Sequence, residues 1–231
     1  MFKNPEPYIK IIEILATRKR GLTRKEILQE GKFEDNGCFS GWLNDLEWCG
    51  FIRSYTMMGY TTKSEIFQLI DNYTIFYFEY LVKKKQPLGY WTSIVGTPKH
   101  NTWCGLSFER VCLLHIEKIK QKLGISGVIT SEYAWRRNAT KENDKGVQID
   151  VLIDRNDGII DVCEIKYAKE KYAITKDYSE DLIRKMDAVA LKAKGRKAIH
   201  LVMITTEGLN NNEYSYIVQN EVKLDDLFLE N

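Results

Sequence analysis

The 231-residue chain predicts a mixed α/β protein built as two domains. Three observations carry that expectation. Helix-period and strand-period segments alternate along the second half of the chain, whereas the first half runs through short helices and closes on one hairpin-like pair of strands. Between the halves, a stretch richer in Pro, Gly and Thr breaks both patterns. Hydrophobic residues make up 44% of the chain, which is enough for real cores.

The first domain is expected over residues 1–85. Apolar residues recur at helical spacing from Pro7 to Thr17. In the segment LTRKEILQEG, Thr23 and Glu26 form a capping box that starts a second helix, and Gly31 is placed to end it. A third helix follows in FSGWLNDLEWCG, with Phe39, Trp42, Leu43, Leu46 and Cys49 on one face. FIRSYT and SEIFQLID then read as two strands around the polar turn MMGYTTK. Three short helices followed by a hairpin is the order of a winged helix. Tyr73 to Lys85 reads as a closing helix whose end, Lys83 to Lys85, is solvated.

Charge gives this domain a weak claim on DNA. Residues 1–85 carry 13 Lys and Arg against 11 Asp and Glu, and residues 86–231 carry 21 of each kind, so any nucleic-acid contact must come from local patches. The third helix, the one that would enter a major groove, has no basic residue between Asn36 and Gly50 and carries Asp45 and Glu47. The residues available for phosphate contact are Arg24 and Lys25 on the second helix and Arg53 and Lys63 near the wing, with Arg18 to Arg20 before them. DNA contact and protein docking both remain open for such a module.

Residues 86–101 read as a linker, and a second domain is expected over 102–231. Thr102 to Leu123 is an amphipathic helix ended by Gly124, with Glu109 at the edge of its apolar stripe beside Cys112, Leu113 and Ile116. Strands follow in GVITSEYAWRR, GVQIDVLIDR and IIDVCEIKY, the last two joined by the hairpin turn Asn156-Asp157-Gly158. Ser179 to Lys194 is an amphipathic helix with Leu182, Ile183, Met186, Val189, Ala190 and Ala193 inward and Arg184, Lys185, Lys192 and Lys194 outward. Lys197 to Thr205 is a buried strand in which His200 reads as a core histidine. Val218 to Phe228 supplies an edge strand and a last turn, with Asp225 capping it and Asp226 solvated.

The chemistry lies in the two hairpin strands. Strand parity puts Gln148, Asp150, Leu152 and Asp154 on one face and Ile160, Val162, Glu164 and Lys166 on the matching face, so a tight hairpin brings Asp150 and Glu164 together. Two carboxylates about 4 Å apart repel by roughly 4 kcal/mol at an effective dielectric near 20. A divalent cation reverses that sign, and oxygen ligands suit Mg2+ or Mn2+. Asp150, Glu164 and the Ile165 carbonyl would hold the cation, Lys166 would orient a water or offset charge on a phosphate, and Glu109 would be a further ligand or hold that water. Two plainer readings stay open: a structural ion-pair network of Asp150, Glu164 and Lys166, and an ordinary surface glutamate at 109.

These segments resemble the Asp, then Glu-x-Lys signature of the restriction-endonuclease-like, PD-(D/E)XK, nuclease superfamily. More closely, the chain is similar over essentially its whole length to the C-terminal region of a family of prokaryotic AAA-type ATPases, in which a winged helix precedes such a nuclease-like domain. The run from Ile174 through HLVMITTEGLNNNEYSYIVQNEVKLDDLF carries that similarity most specifically. The resemblance implies a mixed sheet flanked by helices, metal-dependent cleavage of DNA, and Glu109, Asp150, Glu164 and Lys166 as its catalytic residues. No Gly-x-x-x-x-Gly-Lys-Ser/Thr loop occurs, so the chain is not expected to hydrolyse ATP alone, and it is either a fragment or a stand-alone relative that works with a P-loop ATPase partner. A non-catalytic DNA- or protein-binding regulator of an ATPase is the alternative. With no apolar run near the roughly 18 residues a span needs and no paired cysteine framework, a cytoplasmic location off the membrane is expected. The five cysteines read as buried small hydrophobes.

Overall fold

The computed structural model describes residues 4–56, 65–82, 86–137 and 146–229, and the chain divides into two compact units, Met1–Thr97 and Pro98–Asn231. The turn MMGYTTK with Lys63, and Lys83 to Lys85, lie outside the described residues.

In the first unit, helix α1 (Glu6–Ala16) starts on a proline-bearing first turn and buries Ile11, Ile12 and Leu15. Strand β1 (Leu22–Thr23) leads into α2 (Arg24–Gly31). That helix opens on the expected capping box: the Thr23 N–H donates to Glu26 Oε2 at 2.7 Å and the Glu26 N–H donates to Thr23 Oγ1 at 3.3 Å. Its left-handed terminal residue is Lys32 (φ 49°), not Gly31. Gly31 serves packing instead, because a Cβ there would stand 2.2 Å from the Phe33 ring. Helix α3 (Gly37–Trp48) is capped by Asn36 and buries Phe39, Leu43 and Leu46. Strands β2 (Ile52–Tyr55) and β3 (Ile66–Leu69) complete an antiparallel sheet in the order β1-β3-β2, which gives the winged-helix arrangement. Beyond it, α4 (Asn72–Phe76) widens into a π-helical segment over Tyr77–Val82, and Trp91 of α5 (Tyr90–Ser93) meets Phe76 and Tyr80 edge-on at 4.9 and 5.3 Å.

The second unit is a five-stranded mixed sheet flanked by helices. Its elements are α6 (Pro98–Leu114), α7 (Ile116–Lys122), β4 (Thr130–Arg137), β5 (Val147–Arg155), β6 (Ile159–Lys166), β7 (Tyr172–Ala173), α8 (Lys176–Lys192), β8 (Ala198–Thr205), β9 (Leu209–Asn210) and β10 (Asn220–Lys223). The strand order is β10-β8-β6-β5-β4; β6, β8 and β10 run parallel, and β5 and β4 antiparallel. Helices α6 and α7 cover one face, where Phe108, Cys112 and Ile119 join Val151, Ile153, Cys163, Ile165, Val202 and Ile204. Helix α8 packs against β5 and β8 on the other, and Leu152, Val162, Leu201 and Met203 are fully buried. Covered on both sides, β6 reads as the nearly continuous apolar run expected of a central strand.

Several local expectations are corrected. The helix expected from Thr102 begins at Pro98 and breaks at His115, whose amide is shared between the Val111 and Cys112 carbonyls and whose Nδ1 sits 2.8 Å from the Val111 carbonyl. Asp226, not Asp225, caps the last turn: its Oδ2 accepts from the Lys223 N–H at 2.8 Å, while Oδ1 pairs with Lys122 at 2.8 Å. Cys112 and Cys163 are buried, but Cys38 and Cys49 are exposed because they lie off the Phe39, Leu43 and Leu46 face of α3.

Gly21 and Gly50 both hold positive φ, 76° and 74°, but a Cβ on Gly21 would also lie 2.3 Å from the Phe67 carbonyl oxygen, whereas Gly50 faces open space. Gly50→Ala is therefore expected to cost about 1 kcal/mol and Gly21→Ala at least about 2 kcal/mol more, measured by urea unfolding. Equal losses would contradict the close approach of β3 to this turn.

Candidate active site

The β5–β6 ladder runs in register from Asp154↔Ile160 to Val151↔Cys163 and ends there. Continued by one pair, it would set Asp150 opposite Glu164 on one face. Instead the Asp150 side chain turns in between the strands, and its Oδ2 accepts the Ile165 N–H at 3.1 Å. A carboxylate thus takes an amide of the central strand, and it stands where both faces of the sheet are within electrostatic reach.

A cavity of about 580 Å³ opens at this point. Glu109 and Thr102 of α6 line it, together with Asp150, Ile165, Lys166 and, beyond the strand end, Lys169. Glu109, Asp150 and Lys166 therefore share one chamber, and the α6 edge position expected for Glu109 is where its half-buried side chain lies. Glu164 does not line the cavity. It lies behind, 2% exposed, with both carboxylate oxygens accepting from Lys185 Nζ at 2.8 Å and with Lys166 Nζ 3.2 Å away.

The charges are felt. Asp150 keeps a little surface open to the cavity, but desolvation by the protein around it, then the charges of Glu164 and Glu109, push its pKa up from 3.8 to about 7. The Ile165 amide and Lys166 work in the opposite sense and are outweighed. Burial by itself would lower Lys166, yet Glu164 and Asp150 more than offset it and hold the ammonium above its ordinary range. Lys166 also lies 4.9 Å over the Tyr178 ring. The Tyr178 hydroxyl is pushed up by burial and then by Glu164. Tyr172 packs edge-on against it, with ring centroids 5.9 Å apart.

Lys185 is the main correction to the expected site. It was placed on the solvated side of its helix, but it is 8% exposed and forms the Glu164 pair. Ser179, Leu182, Lys185 and Val189 are the buried positions, spaced three and four residues apart, so the inward stripe is rotated from the one expected; Ile183, expected inward, is exposed. That regular spacing was the available signal for Lys185. Lys192 and Lys194 are exposed as anticipated. At the far end of the sheet, His200 Nδ1 lies 3.8 Å from the buried Asp161.

Two of the residues expected to meet DNA, Arg24 and Arg53, are engaged within the first unit. Arg24 pairs with Asp35 at 2.6 Å and lies 4.8 Å over the Phe39 ring, while Arg53 donates to Gln68 at 2.9 Å and stacks 4.5 Å over Tyr55. Lys25 is exposed, and Lys63 lies outside the described residues.

Among the described residues no group of three or more His, Cys, Asp or Glu side chains is gathered to hold a metal ion. The donor chemistry nevertheless suits a hard divalent cation: Asp150, Glu109 and the Ile165 carbonyl offer oxygens, and a cation would favour the ionised form of Asp150 that burial, and then Glu164 and Glu109, disfavour. No helix among the described residues is long and apolar enough to cross a membrane. Compared with protein-family models, curated proteins and solved structures, the chain matches none.

Between about pH 4 and pH 7 the folded chain keeps a proton on Asp150 that the unfolded chain releases, so this group's contribution to stability falls as pH rises through that window. Asp150→Asn retains an acceptor for Ile165 but cannot ionise. It is expected to raise Tm by about 5 °C at pH 8 and by almost nothing near pH 4.5, read by thermal unfolding at both pH values. An equal gain at both would contradict the raised pKa.

Proposed function

We propose that the second unit is a divalent-metal-dependent phosphodiesterase of the PD-(D/E)XK type acting on DNA. The winged helix would serve as its DNA- or protein-binding module, and the pair would be the C-terminal part of a prokaryotic AAA-type ATPase in the cytoplasm. The observation that carries this reading is Asp150, a carboxylate between two strands whose pKa is raised by burial and then by Glu164 and Glu109, at a cavity that Lys166 also lines. A fold that needed only stability would have little use for that arrangement.

Asp150 and Glu164, with the Ile165 carbonyl, would hold Mg2+ or Mn2+, which when bound polarises the scissile phosphate and activates a water. Asp150 releases its proton as it becomes a ligand. Lys166, at the end of β6, faces the phosphate and offsets the negative charge that builds on it during attack. Glu109, across the chamber on α6, orients the attacking water. Lys169 and Thr102 at the cavity wall meet the flanking backbone, Lys169 through its charge and Thr102 through its hydroxyl. The chain's near-neutral balance and its internally paired arginines support modest affinity for DNA, which leaves placement of the nuclease to an ATPase domain or partner.

A second reading has its own support. Glu164, a residue of the expected metal pair, is bonded through both oxygens to Lys185, which fits a nuclease-like domain retained as a binding module. That reading predicts no metal-dependent heat in calorimetry and a measurable complex with a P-loop ATPase.

Supercoiled DNA incubated with Mn2+ separates the two. The nuclease reading expects nicking by the wild type and a loss of at least roughly 100-fold in Lys166→Ala. Nicking by both at one rate, or by neither, would sink it.

A further inference from the structure

The carboxylate that a cation must share is also the most enclosed charge at the site. Glu164 is 2% exposed on a central strand, and a carboxylate so placed is strongly disfavoured unless a positive group answers it. Lys185 gives that answer from α8, with its ammonium 2.8 Å from each oxygen. Lys166 approaches the same carboxylate at 3.2 Å, and Asp181 lies 3.7 Å behind Lys185. Glu164 is thus answered by two ammonium groups, Lys185 and Lys166.

We infer that Lys185 is a positioning residue, the resident counter-ion of Glu164, which holds that carboxylate beside Asp150 whether or not a divalent cation is present. The cation part of this inference rests on the nuclease reading; the pairing itself does not. Two consequences follow from Coulomb's law. Without a cation, removing Lys185 leaves Glu164 and Asp150 repelling each other in a poorly solvated setting, so the fold suffers. With a cation, Lys185 repels it across Glu164, so removing Lys185 tightens cation binding and makes the fold lean on it. A lysine that merely filled space would give neither response.

The test is thermal unfolding of the full chain in EDTA and over a Mn2+ series, for wild type, Lys185→Met, Lys185→Arg, Glu164→Gln and the double variant Glu164→Gln/Lys185→Met. In EDTA, Lys185→Met is expected to lower Tm by about 10 °C, Lys185→Arg by far less, and the double variant to regain most of the loss, because the charge that needed an answer is gone. Mn2+ is expected to raise the Tm of Lys185→Met at least about twofold more than that of the wild type, and at lower Mn2+ concentration. Should Lys185→Met fail to fold, the double variant carries the test and is expected to fold. An undiminished Tm for Lys185→Met in EDTA, or a double variant no better than the single one, would overturn the role of Lys185 whatever Mn2+ does. A Mn2+ shift of the same size in wild type and Lys185→Met would overturn the cation half. A shift absent from every protein would overturn that half together with the nuclease reading, while the EDTA comparison still decides the pairing.

Discussion

Like charge held inside an apolar sheet is the constraint around which the second unit is arranged. Glu164 sits on a strand covered on both faces, Asp150 stands at the point where its neighbour strand parts from it, and Glu109 reaches the same chamber from α6. Each local feature answers the repulsion among them. The Ile165 amide donates to Asp150, Lys166 and Lys185 approach Glu164 from two sides, and Asp150 holds a proton to about pH 7. Replace the three carboxylates by aliphatic groups and the parting of β5 from β6 has no purpose, since the ladder could simply continue. The chamber exists because the ladder stops.

The two units divide the work by charge. In the first unit Arg24 and Arg53 are engaged with Asp35, Gln68 and the Phe39 and Tyr55 rings, whereas Arg18 and Arg20 are exposed. The second unit gathers Glu164, Lys185, Lys166 and Asp150 at one end of the sheet and holds a separate buried charge, Asp161 with Arg155, at the other.

Much of this was legible in the chain because its signals are local. The Asn156-Asp157-Gly158 turn fixed the register of β5 and β6, and period-2 parity then named Asp150, Glu164 and Lys166. The capping box of Thr23 and Glu26 marked the start of α2 to the residue. What escaped depends on partners distant in sequence. Lys185 looked solvated because a helical wheel assigns charge to water, and only Glu164, 21 residues earlier on another element, justifies its burial. Asp226 looked solvated for the same reason, its partner Lys122 being 104 residues away. Parity alone also could not show that Asp150 would turn between the strands to reach Glu109. That requires knowing where the ladder ends.

Asp150 is proposed as a seat for a divalent cation, and diffraction from crystals soaked in Mn2+ tests that. An anomalous peak is expected within the roughly 2 Å of hard-cation oxygen coordination from Asp150. A chamber without a peak at saturating Mn2+, its Asp150 carboxylate still bonded only to the Ile165 amide, would contradict it.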